Sequence, residues 1–124
     1  MSILGKIKSI LAPASGVSPA ECFSRLNGGR ALLIDVREPD EWAGGVARGA
    51  LLLPLSDLAG ARSLWRGMLA GASGRELLLY CKSGARSGMA VRLLTAEGFR
   101  AANAGGFAGW VAAGWPVERG PRAG

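Results

Sequence analysis

The stretch Glu76-Leu77-Leu78-Leu79-Tyr80-Cys81-Lys82-Ser83-Gly84-Ala85-Arg86-Ser87-Gly88 decides the fold. Its first half is a short, continuous apolar run, the pattern of a strand buried on both faces of a parallel sheet. Its second half passes through a glycine into a segment with apolar Met89, Ala90, Leu93 and Leu94 that ends at Gly98. That segment predicts a helix over 87–97 with a glycine C-cap. A buried strand leading through a tight turn into a helix is half of a β-α-β unit.

Working outward, two further apolar runs lie upstream, ALLIDV at 31–36 and LLLPL at 51–55. Ser18-Pro19 opens a helix to about Leu26, with Ser18 as N-cap and proline in the first turn, and Gly28-Gly29 closes it. Pro39 to Trp42 predicts a short helix or turn, and Ser56-Asp57 caps a helix expected to run to about Leu69. A strand at about 100–103 and a helix at about 107–113 complete an alternating order. The sequence predicts one α/β domain with an open, mainly parallel sheet and helices on both faces.

The chain has 124 residues, enough for one domain over about 17–118, with an extension at 1–16 and a tail at 119–124. Within the extension, Ile3, Leu4, Ile7, Ile10 and Leu11 follow helical spacing up to Pro13. A short helix docked on the domain is favoured there over an interfacial membrane anchor, so membrane contact of residues 1–12 is the lesser expectation. No apolar run is long enough to span a bilayer, and Lys6 and Lys8 interrupt the one stretch resembling a signal core, so the expected compartment is the cytoplasm.

The chain has no histidine, which excludes Ser-His-Asp and Cys-His sites and imidazole metal ligands. Two cysteines, Cys22 and Cys81, are too few for a structural zinc site, so no metal and no cofactor is expected. In a cytoplasmic setting they are not expected to pair, and Cys22 on the first helix reads as a small apolar residue. The net charge is +6, yet the cations are scattered singly with no basic run, which argues against nucleic acid and for a general attraction to anions.

Cys81 stands where chemistry is expected. In open α/β sheets ligands bind beyond the carboxyl ends of the strands. The loop from Cys81 to Ser87 carries Lys82 and Arg86, has Gly84 free to take positive φ, and runs into a helix N-terminus. Backbone N–H groups there form an anion cradle, and they lower the pKa of a thiol without help from histidine.

YCKSGARS at 80–87 resembles the active-site loop of the rhodanese family of sulfurtransferases. IDVREPDEW at 34–42 is similar to that family's first signature, followed by Gly45, Gly49-Ala50 and Pro54. GGFAGW at 105–110 and GWPV at 114–117 resemble its closing segment. The resemblance implies that Cys81 accepts sulfane sulfur as a persulfide. It also implies that the N–H groups of Lys82, Ser83, Gly84, Ala85, Arg86 and Ser87 surround that sulfur, with Arg86 orienting the anion-binding rim. Asp35 and Arg37 are implied near the loop as ion-paired supports, while Glu38 and Glu41 read as solvated surface or partners of nearby arginines. The chain departs from the pattern at Val46, where many relatives have histidine.

The implied partners are a small sulfur donor, such as thiosulfate or a persulfide, and a thiol or cyanide acceptor; a protein carrying a thiol is a further candidate. Cysteine-dependent phosphatases and arsenate reductases use a similar loop one residue longer. Cys81 and Arg86 enclose only four residues, and the smaller cradle suits one sulfur atom better than a tetrahedral oxyanion. The remaining alternative, a catalytically weak binding or regulatory module, is disfavoured because thiol, Gly84 and Arg86 are present together.

Overall fold

The computed structural model describes residues 16–72 and 74–121. The helical stretch expected within residues 1–12 and the end of the tail lie outside them. Six helices and six strands are described: α1 (Pro19–Asn27), β1 (Ala31–Asp35), α2 (Pro39–Trp42), β2 (Val46–Ala47), β3 (Leu51–Leu52), α3 (Leu55–Ala59), α4 (Trp65–Ala70), β4 (Glu76–Cys81), α5 (Ala85–Ala96), β5 (Ala101–Gly106), α6 (Phe107–Ala112) and β6 (Val117–Glu118). The main sheet has the order β3-β1-β4-β5 and every pairing in it is parallel. Among the described residues no helix is long and apolar enough to cross a membrane.

Strand alternation sorts the core into two layers. Leu77, Leu79 and Cys81 face Leu58 of α3, Trp65 of α4, and Ala90, Val91 and Leu94 of α5. Leu78 and Tyr80 face Cys22 of α1 and Trp110 of α6. Helices therefore cover both faces, as the apolar runs predict. The same alternation puts Cys22 and Cys81 on opposite sides of the sheet, where both are free thiols. Burial pushes the Cys22 thiol up to about 11, consistent with an inert apolar residue.

α1 starts as its sequence dictates. Ser18 is extended, with φ −63° and ψ 154°, and its hydroxyl accepts the Glu21 N–H at 3.2 Å. Elsewhere the structure corrects the sequence reading. The helix expected from Ser56-Asp57 to Leu69 is two helices, because the Asp57 carboxylate accepts the N–H groups of Ser63, Leu64 and Trp65 and so caps the second. The break passes through Arg62 at φ 61°, a left-handed conformation costing about 1 kcal/mol. Its guanidinium offsets this by bonding Leu58 O at 2.6 Å and both Glu97 oxygens at 2.6 and 2.8 Å.

β3 is the short strand Leu51–Leu52 and not the full run 51–55: the Leu53 and Leu55 N–H groups still donate to Asp35 O and Val36 O at 3.0 Å, but at Leu55 the chain is already turning into α3. β5 runs on to Gly106, past the expected Asn103. α5 begins two residues early, at Ala85, because Gly84 at φ 94° turns the chain directly into the helix. The antiparallel pair β2–β6 has two residues in each strand, too few to leave a periodic signal. Val46 lies in it, buried, opposite Glu118.

Trp65 has no solvent exposure and donates its indole N–H to Pro54 O at 2.9 Å. Trp65→Ala should lower the unfolding free energy by about 3–5 kcal/mol in urea titrations. Leu64→Ala, at a position 57% exposed, should leave it within about 0.5 kcal/mol.

Candidate active site

β4 is buried from Leu77 through its last residue and delivers Cys81, with no exposed surface, to the floor of the loop that precedes α5. Within that loop the Gly84 N–H donates to Cys81 Sγ at 3.0 Å, and the Ser87 hydroxyl lies 3.5 Å from the same sulfur. Burial works to raise the thiol pKa. Hydrogen bonds from the Ser87 hydroxyl and from the N–H groups of Ser87, Ser83 and Gly84 outweigh it, so the thiol is held below its ordinary value. The twelve-residue helix α5 begins just beyond, with its N-terminal dipole toward the sulfur.

The loop residues take different places. Ser87 is buried, whereas Lys82, Ser83 and Ala85 are exposed. The Ser83 hydroxyl accepts the Ala85 N–H at 3.4 Å, which tightens the turn. Gly84 has φ 94°, a region a side chain would strain.

Arg86, expected to orient the anion-binding rim, is held by an acidic partner. Its two guanidinium nitrogens grip the Glu41 carboxylate at 2.5 and 2.8 Å. That hydrogen bonding holds the Glu41 carboxyl down at about 2, so the pair stays ionised through all but strongly acidic conditions. Glu41 is thus a partner for an arginine. Glu38 instead accepts the Ser56 hydroxyl at 2.6 Å, and its own N–H donates to Glu41 Oε1 at 3.1 Å.

Asp35 and Arg37 form a buried pair. Asp35 Oδ2 accepts from Arg37 at 2.8 Å, and Asp35 Oδ1 accepts the Arg37 backbone N–H at 2.9 Å. Arg37 also donates to Gly45 O at 2.7 Å and lies 4.4 Å from the Phe107 ring centroid, in cation–π range. These bonds tie β1 to the β2 segment and α6. None of them reaches the Cys81 loop among the described residues.

Sequence reasoning overlooked Asn103. Its amide Nδ2 donates to Gly84 O at 2.9 Å, while its Oδ1 accepts the Ser87 hydroxyl at 2.7 Å and the Gly105 N–H at 3.0 Å. It therefore holds Gly84 and Ser87, two of the three residues that bond the Cys81 sulfur. Gly106 completes this support: a Cβ there would lie 2.6 Å from Lys82 O. Asn103 is one polar residue in a strand of alanines and glycines, and that oddity was the available signal.

Among the described residues no cluster of three or more His, Cys, Asp or Glu side chains is placed to hold a metal ion. What the arrangement offers is a thiol of lowered pKa, bonded by the Ser87 hydroxyl and by the N–H groups of Ser83, Gly84 and Ser87.

Comparison with known proteins identifies the family. A family model described as Rhodanese-like domain matches residues 18–113. Human thiosulfate:glutathione sulfurtransferase is 32% identical over 111 residues, covering 82% of this chain and 96% of that protein. A sulfurtransferase of Allochromatium vinosum is 38% identical over 88 residues, covering 69% of this chain and 77% of that protein. The solved structure of a human single-domain sulfurtransferase superposes with a TM-score of 0.64 at 33% identity, covering 82% of this chain and 96% of that one. With a family model over most of its length and relatives of its own size, the chain belongs to the rhodanese family.

Proposed function

We propose that the protein is a sulfurtransferase that carries sulfane sulfur on Cys81. The observation that supports this best is the Gly84 N–H aimed at Cys81 Sγ from 3.0 Å, inside a loop whose other donors also lower the thiol pKa. In the first step the thiolate attacks the outer sulfur of a donor. With thiosulfate, an S–S bond forms to Cys81, the donor S–S bond breaks, and sulfite leaves with the bonding electron pair.

The terminal sulfur then carries the negative charge, and the N–H groups from Lys82 to Ser87 cradle it. In the second step cyanide or a thiolate attacks that sulfur, leaving as thiocyanate or a persulfide and regenerating the Cys81 thiolate. No proton transfer is required in either step, which suits a chain without histidine. A small thiol or a protein thiol serves equally as acceptor. Asp35 and Arg37 act as supports in this reading, holding the β1–β2 connection that carries Glu41 beside Arg86.

The deciding experiment is mass spectrometry after exposure to thiosulfate and to glutathione persulfide. Cys81 should gain one sulfur mass and lose it on addition of cyanide, and Cys81→Ser should do neither. Absence of the adduct with both donors would favour the binding module, and rapid aryl phosphate hydrolysis would favour a phosphatase.

Charge at the rim yields a paired expectation. Arg86→Ala leaves Glu41 as an unpaired anion and should raise KM for thiosulfate several-fold more than for glutathione persulfide. Glu41→Gln frees the Arg86 cation and should lower KM for thiosulfate.

The loop yields another. The transfer rate should climb with pH to a plateau set by the lowered Cys81 pKa. Gly106→Ala, by pushing on the Lys82 carbonyl, should move that rise to higher pH and cut the rate at neutral pH about tenfold.

A further inference from the structure

Three adjacent strands of the main sheet are each preceded by an arginine: Arg30 before β1, Arg75 before β4 and Arg100 before β5. Parallel register converts this sequence pattern into proximity. Ala31 stands opposite Glu76 and Leu77 opposite Ala101, so Arg30 is level with Arg75, and Arg100 with Glu76. With strands about 4.8 Å apart, the three residues cross the amino edge of the sheet as a row.

They line one cleft of about 600 Å³ together with Arg25, Glu21 and Glu76. Arg25 is already engaged, with Glu76 oxygens at 2.7 and 2.9 Å and Glu21 at 3.0 Å. The other three have no carboxylate partner among the described residues. Among the described residues Arg75 reaches only Ala72 O at 3.4 Å, Arg100 only Gly74 O at 3.5 Å, and Arg30 makes no side-chain bond. Four guanidinium groups against two carboxylates leave a surplus of positive charge.

Like charges on neighbouring strand positions repel, and all three arginines are exposed, so the core does not require them. We propose that this cleft is a binding site for a compact polyphosphate group, held by bidentate guanidinium–phosphate bonds. It lies at the opposite end of β4 from Cys81, about 17 Å away by strand rise, and is separate from the sulfur site. The lining contains only arginine, glutamate and glycine, with no ring on which a base could stack. The phosphates are therefore what is recognised, whether free or attached to a nucleoside.

Calorimetric titration of the full chain with pyrophosphate, tripolyphosphate and ATP tests this. Tripolyphosphate should bind at one saturable, salt-sensitive site, and ATP should bind within about threefold of it. Arg30→Ala and Arg100→Ala should each weaken tripolyphosphate about tenfold. Arg92→Ala, an exposed arginine of α5 outside the cleft, should leave it unchanged. The alkylation rate of Cys81 should be the same with and without tripolyphosphate. Three results would overturn the proposal: no saturable binding, an equal loss with Arg92→Ala, or a single-stranded oligonucleotide outcompeting tripolyphosphate with affinity that grows with its length.

Discussion

β4 has no free edge. It pairs with β1 on one side and β5 on the other, and helices cover both its faces. A strand with both ladders filled and both faces packed cannot slip in register without exposing its apolar side chains. The position of Cys81 is thereby fixed by burial of Leu77, Leu78 and Leu79, before any group around the sulfur contributes. Tyr80 extends the constraint sideways: its hydroxyl oxygen accepts the Ala47 N–H at 2.9 Å, and its ring stacks on Trp110 at 5.8 Å. The same side chain joins the main sheet, the small β2–β6 sheet and α6.

Two kinds of electrostatic arrangement surround this frame. Asp35 and Arg37 are both buried, and such a pair is maintained because losing either member strands the other, a cost of about 3–5 kcal/mol. Arg86 and Glu41 are partly exposed, so their pairing matters less for stability than for the charge presented beside the loop. At Cys81 no side-chain cation touches the sulfur among the described residues. Its acidity comes from backbone amides and one hydroxyl, which cannot lose their donor character by titration.

The strands of the main sheet and most of the helices were legible because burial on two faces leaves continuous apolar runs and because caps such as Ser18 have local chemistry. Cys81 and its loop were legible for the same local reason: strand, thiol, glycine and cations follow one another in the chain. What escaped depends on residues distant in sequence. The capping of α4 by Asp57 looks in sequence like the start of a single longer helix. The Arg86–Glu41 grip joins residues forty-five positions apart, and Asn103 reaches back to Gly84 and Ser87 across the β4–β5 ladder. No periodicity encodes such contacts. They follow from register, which only the folded sheet supplies.

The complete burial of Cys81 has a kinetic consequence. A sulfur with no exposed surface meets a reagent only when the groups that cover it part. Encounter is then a pre-equilibrium, with observed rates scaled by the open fraction. Gating of this kind multiplies the rate at every pH without moving the titration midpoint. It shields the resting thiol from bulky oxidants more than from small linear ones.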